Sequence, residues 1–117
     1  MQENLLVISE RNMHYKLIIT ERAEKLLDNI MKYIINKLKN PQAAGNLLAE
    51  IEHVYDNLEC NPEMYAYSED LFLKSRGYRK SVVPHYDYVI IFRIDEEIST
   101  IYIMGFFHEL ELYRNKL

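Results

Sequence analysis

A chain of 117 residues, 49% apolar with three glycines and three prolines, has the material for one packed domain, which excludes both a disordered chain and two domains of ordinary size. Fourteen basic and 18 acidic side chains leave a formal charge of −4, the wrong sign for a protein held on nucleic acid mainly through the phosphate backbone. The single cysteine, Cys60, allows no intrachain disulfide and no thiolate zinc site.

Residues 1–14 read as an extension of uncertain structure, and 15–117 as one domain. The opening lacks the basic start and long apolar run of a signal peptide, and no stretch approaches a membrane span, so the expected location is the cytoplasm. YKLII at 15–19 reads as a strand. Thr20 is placed to cap a long helix, with Glu21 and Glu24 near its first turn, where backbone N–H groups favour negative charge. Ala23, Leu26, Leu27, Ile30, Ile34, Ile35 and Leu38 follow the three-and-four spacing of one buried stripe, widened by Met31. Asn40–Pro41 starts a second helix, with Asn40 as cap and Pro41 where a missing N–H costs nothing. Its stripe is Ala44, Leu47, Leu48, Ile51, Val54, Tyr55 and Leu58, and Gly45 permits a close approach of the first helix. The short junction makes the pair an antiparallel hairpin. Asn61–Pro62 ends it, with Cys60 expected as a small buried residue at the helix end.

A loop around Met64–Tyr67, Leu71–Phe72 against the core and a turn at Arg76–Gly77 come next. Residues 79–84, 87–94 and 98–106 are rich in β-branched and aromatic side chains, with a charged break at Asp95, Glu96 and Glu97. They read as a three-stranded antiparallel meander packed on the helices, followed by a short C-terminal tail. The fold class is α+β, with strand 15–19 expected beside strand 98–106. The ten tyrosines are expected mostly at the boundary between helices and sheet, where an apolar body and polar tip both fit.

His14, His53, His85 and His108 lie in no metal-ligand spacing, and glycine-rich phosphate loops are absent, so no metal and no cofactor is expected. What remains is a set the meander is expected to gather: Arg79, Lys80, Tyr86, Tyr88, Arg93 and His108. Arginine or lysine stabilises charge on a phosphate, histidine moves a proton near neutral pH, and tyrosine stacks on a base. Ordinary roles compete: Arg79 and Lys80 as solvated strand ends, Arg93 paired with Asp95 or Glu97, and His108 capping the sheet. Glu109 and Glu111 stand nearby and would repel a phosphate backbone.

The order of these pieces resembles the RelE/ParE superfamily of bacterial type II toxins, which includes plasmid-stabilisation proteins. The resemblance covers 15–113: an opening strand running into a helical hairpin, Gly77–Tyr78–Arg79–Lys80, YVIIFRIDEE at 88–97 and IYIMGFFHELELY at 101–113. It implies a growth-inhibiting toxin neutralised by a cognate antitoxin. RelE-like members cut mRNA on the ribosome without a metal, whereas ParE-like members act on DNA gyrase. Residue by residue, it assigns tentative catalytic positions to Arg79, Arg93, His108 and Tyr113. Partner or RNA contact would fall to Lys80, Tyr86 and Tyr88, with Arg114 and Lys116 in the tail. Many relatives end near RxxHGRRDY. Here Gly105 stands where an arginine often stands, and Glu109, Leu110 and Glu111 replace the Gly-Arg-Arg step, which counts against a ribosome-dependent nuclease. A degenerate interaction module, or a homodimer, is the remaining alternative.

Overall fold

The computed structural model describes residues 15–62 and 71–108, with only the backbone of residues 71 and 72. The order is β1 (Lys16–Ile19), α1 (Glu21–Lys32) continuing through a π-helical turn (Tyr33–Lys37), α2 (Pro41–Cys60), α3 (Leu71–Ser75), β2 (Arg79–Val82), β3 (Tyr88–Asp95) and β4 (Thr100–His108). The expected loop at Met64–Tyr67, the 1–14 extension and the tail beyond residue 108 lie outside the described residues.

Among the described residues, four strands form one sheet in the order β1-β4-β3-β2. β1 runs parallel to β4 from Lys16 opposite Thr100 to Ile19 opposite Ile103, beside the strand where the sequence placed it. Parallel neighbours need a long crossover, which the helical hairpin and meander provide. At the junction with α1, Thr20 does three things at once. Its N–H and its hydroxyl both donate to the Ile103 carbonyl, at 3.1 and 2.8 Å, and the same hydroxyl oxygen accepts from the Ala23 N–H at 3.2 Å. Helix cap and sheet edge are therefore one joint. Asn40 caps α2 as its sequence indicates, its side-chain oxygen accepting from the Ala43 N–H at 3.1 Å.

The main core lies between the hairpin and one face of the sheet. Ala23, Ile34, Leu47, Ile51 and Leu58 of the hairpin meet Ile90, Phe92, Ile101, Ile103 and Phe106 of the strands. Tyr15, Tyr55, Tyr86 and Tyr88 pack at its margin, at the helix–sheet boundary. A second, smaller cluster covers the opposite face at one end: Val89, Ile91 and Phe107, flanked by Leu26, Tyr78 and Met104.

Several stripe residues depart from expectation. Leu26 joins the second cluster rather than the first, because β1 stops opposite Ile103 and leaves the edge of β4 open to it. Ile35 and Leu38 are 42% and 55% exposed. Here the helix switches to π geometry, with the Leu38 N–H reaching the Tyr33 carbonyl at 3.1 Å; the wider turn rotates everything after Ile34 off the buried stripe. Leu48 is also exposed, at the rim of the α2 stripe. Gly45 lies in open space rather than against α1, and Cys60, although at the helix end, is exposed.

The turn at Arg76–Gly77 closes α3, which the sequence reading did not separate from its surroundings. The Gly77 N–H bonds to the Lys74 carbonyl at 2.9 Å and the Tyr78 N–H to the Leu73 carbonyl at 3.0 Å, with Gly77 at φ 80°. This double closure needs a left-handed residue, which glycine supplies without penalty. It delivers the chain directly into β2.

Candidate functional site

Which side chains can work together depends on the pairing of β2, β3 and β4. Directly opposed residues project from the same face. Arg79 is opposite Phe92 and Lys80 opposite Ile91; Arg93 is opposite Tyr102 and Tyr88 opposite His108. Phe92 faces the hairpin and Ile91 the second cluster. Arg79 is thus on the hairpin side, whereas Lys80 and Arg93 are on the other.

A bulge decides the position of His108. Ile91 opposes Gly105 but Phe92 opposes Ile103, so Met104 is an extra residue in β4. Strict alternation from Tyr102 would put residues 104, 106 and 108 on the Arg93 side. Met104 keeps to that side, in the second cluster, but Phe107 joins it there and Phe106 enters the main core instead. The bulge reverses the alternation beyond it, and His108 faces the hairpin side, its ring edge-on to Tyr88 with centroids 5.8 Å apart.

Arg79, Arg93 and His108 are therefore not gathered into one place, contrary to expectation. The two arginines project from opposite faces. Arg93 and His108 are separated both by the sheet and by five positions along β3, about 17 Å. Tyr88 and Tyr86 pack against the main core. Tyr113, Arg114 and Lys116 lie outside the described residues. What the structure does assemble is a different set on the face away from the hairpin: Lys80, Arg93 and Tyr102. The Arg93 guanidinium carbon sits 4.4 Å from the Tyr102 ring centroid, a cation–π pair rather than the competing ordinary role, an ion pair with Asp95 or Glu97. The Asp95 carboxylate accepts the Glu97 N–H at 3.2 Å and helps close the β3–β4 turn. Tyr102 went unremarked in the sequence; the signal was its position in YxI alternation, legible only once the register with Arg93 is known.

Gly105 explains part of this arrangement. A Cβ there would collide with the Phe107 ring, whose Cζ would lie 2.6 Å away, while Leu26 Cδ1 would stand at 3.4 Å. Phe107 is 1% exposed, so its ring has nowhere to swing. A side chain at position 105 has no room unless that ring moves.

Among the described residues, no group of His, Cys, Asp and Glu is placed to hold a metal ion. Among the described residues, one strongly shifted group has a structural cause: burial, with a smaller contribution from Glu52, pushes the Tyr55 hydroxyl well above its ordinary range. That hydroxyl is buried without a hydrogen-bond partner.

The model of the ParE toxin of the type II toxin–antitoxin system parDE matches residues 17–113. This chain belongs to the ParE toxin family. The chromosomal ParDE toxin–antitoxin system of P. aeruginosa contains a chain similar to this ParE-family protein, at 21% identity and a TM-score of 0.66. The match covers 83% of this chain and 97% of that one. The toxin–antitoxin complex RelBE2 of Mycobacterium tuberculosis contains another, at 19% identity and a TM-score of 0.56, covering 81% and 98%. Both likenesses show the shared fold. No curated protein matches the sequence. No helix among the described residues of the ParE-family chain is long and apolar enough to cross a membrane.

Proposed function

We propose that this type II toxin is held inactive by a cognate antitoxin and, when released, arrests growth by occupying DNA gyrase rather than by cutting mRNA. The observation that carries the reading is the separation of Arg93 from His108. A metal-independent nuclease needs phosphate-holding cations and a proton-transfer group around one scissile phosphate. In this chain Arg93 and Lys80 lie on the face opposite His108, which shares its face with Arg79 four positions along the sheet, and the Gly105 position is closed by Phe107. A toxin that acts by surface occupancy needs no such convergence.

The antitoxin reading draws support from the family and from the similar chains, one from a toxin–antitoxin system and one from a toxin–antitoxin complex. Among the described residues β2 is a sheet edge ending in exposed Val82, and a sheet edge can accept an extended partner segment.

The mRNA interferase reading keeps one favourable observation, the pairing of Arg93 with Tyr102 beside Lys80, since a cation next to an aromatic face suits a phosphate next to a base. The deciding experiment induces the chain alone and follows growth, total mRNA and plasmid supercoiling. It also tests purified chain in a gyrase supercoiling assay. Arrest with lost supercoiling and intact mRNA is the expected result. Early mRNA cleavage abolished by Arg93→Ala or Tyr102→Ala would transfer the function to the nuclease.

A further inference from the structure

The helical hairpin carries its charge in two blocks. Residues 29–49, the end of the hairpin furthest from the chain's entry to α1, contain Lys32, Lys37 and Lys39 and no acid. Residues 50–60, the second half of α2, contain Glu50, Glu52, Asp56 and Glu59 and no lysine or arginine. One end of α2 is thus bordered by cations and the other is acidic.

The shapes at the two ends are complementary as well. The basic end presents Leu38, 55% exposed, on a junction whose next residue, Lys39, has φ 54°. The acidic end holds a cavity of about 390 Å³ lined by Tyr15, Asp56, Glu59 and Cys60. Between them, the outward line of α2 runs through Gly45 and Ala49, both exposed, and a Cβ on Gly45 would meet nothing within 4 Å.

We infer that the outer face of the hairpin pairs with a second copy of this chain, antiparallel about a two-fold axis at Ala49. In an antiparallel pair of identical helices, positions equally spaced from the centre oppose each other, and the contact is made twice. Centring on Ala49 sets Gly45 against His53 and Gln42 against Asp56. The junction just before α2, with Leu38 and Lys39, then lies toward the acidic end of the partner's helix, where Glu59 and Cys60 stand. Leu38 enters the cavity of the other copy, and Lys39 faces Glu59 across its rim. Small residues at the crossing let the helix axes approach to about 8 Å. That register puts the small residues at the centre and turns each basic junction toward the partner's acidic end. The helices use about 30 Å of α2 in this contact, leaving the sheet faces and the β2 edge uncovered.

The pairing does not rest on the toxin reading, since a chain with no effect on gyrase can still dimerise. Sedimentation velocity on the full chain, freed of any partner, tests it at about 5–200 μM, a range that spans micromolar association. The expected result is a dimer that weakens as salt rises, because exposed ion pairs are screened. Ala49→Arg, which places like charges on the two-fold axis, should leave a monomer. Lys39→Glu and Glu59→Lys should each weaken association by about tenfold, and the double variant should recover it. Circular dichroism confirms that each variant is folded; the reciprocal swap at two surface positions stands even where Ala49→Arg does not fold. A monomer across the whole range, or a dimer indifferent to these substitutions, overturns the inference. A monomer that instead binds anionic vesicles through Lys37 and Lys39 reassigns the hairpin end to lipid and overturns it equally.

Discussion

The Phe107 ring folds back over Gly105 on the sheet face away from the hairpin, occupying the space where a Cβ would stand. The residue after the bulge is thereby committed to glycine, and the bulge itself sends His108 to the opposite face from Arg93. One local irregularity in β4 thus sets both the glycine at 105 and the faces that Arg93 and His108 take.

Gly105→Ala should therefore destabilise the protein by about 1–3 kcal/mol, the usual cost of forcing atoms into a packed core. Chemical denaturation measures it. Pairing it with Phe107→Leu should recover part of the loss, because the smaller side chain clears the site. A Gly105→Ala variant as stable as the wild type would mean that the ring does not lie across residue 105.

Removing the orphaned hydroxyl should help. Tyr55→Phe keeps the ring, which lies 6.5 Å from that of Phe106, and deletes a buried oxygen that has no partner. The expected gain is about 1 kcal/mol, within the range an unsatisfied buried polar group costs, read as a rise in Tm of about 4 °C.

The same hydroxyl sets an alkaline limit. Its folded-state pKa lies above the ordinary value of 10.0, chiefly through burial. The folded state thus disfavours the phenolate, and the unfolded chain is the first to release this proton. Stability from this group is complete below pH 10 and falls as pH rises beyond it. Thermal melts of the wild type and Tyr55→Phe should diverge above pH 10, with the wild type losing more.

Thr20→Ala removes a helix cap and a bond to the Ile103 carbonyl together. The expected loss is about 2 kcal/mol, the upper part of the range for a cap. Thr20→Ser, which keeps the hydroxyl, should retain most of the stability. Equal losses from both substitutions in equilibrium unfolding would show that the methyl group, rather than the oxygen, matters at this joint.

On the gyrase reading, His108→Ala should leave growth arrest within about twofold of wild type, since a residue outside the chemistry contributes little to it. Dose–response of induced growth inhibition, corrected for protein level, tests this. A loss of arrest as large as that expected of a missing general acid or base, about 100-fold, would return His108 to the centre of the function.

Local signals alone determined much of this protein. Thr20 before Glu21 and Glu24, Asn40 before Pro41, and apolar residues at helical spacing specify two capped helices, because caps and amphipathic stripes act over a few residues. The dense β-branched runs around Asp95–Glu97 likewise specify a meander, and the motif order pointed to the family. The faces were decided elsewhere. Ile35 and Leu38 fit the stripe by spacing, yet one π-helical turn rotates them outward. Arg93 and His108 both belong to the strand motifs, yet one extra residue in β4 divides them between two faces. A side chain's direction depends on the sum of every turn and register step before it. A one-residue irregularity costs little locally and is chosen by packing against partners distant in sequence, such as Phe107 and Leu26 around Gly105. Only the tertiary structure contains those partners, and it alone decided that Tyr102, rather than His108, accompanies Arg93.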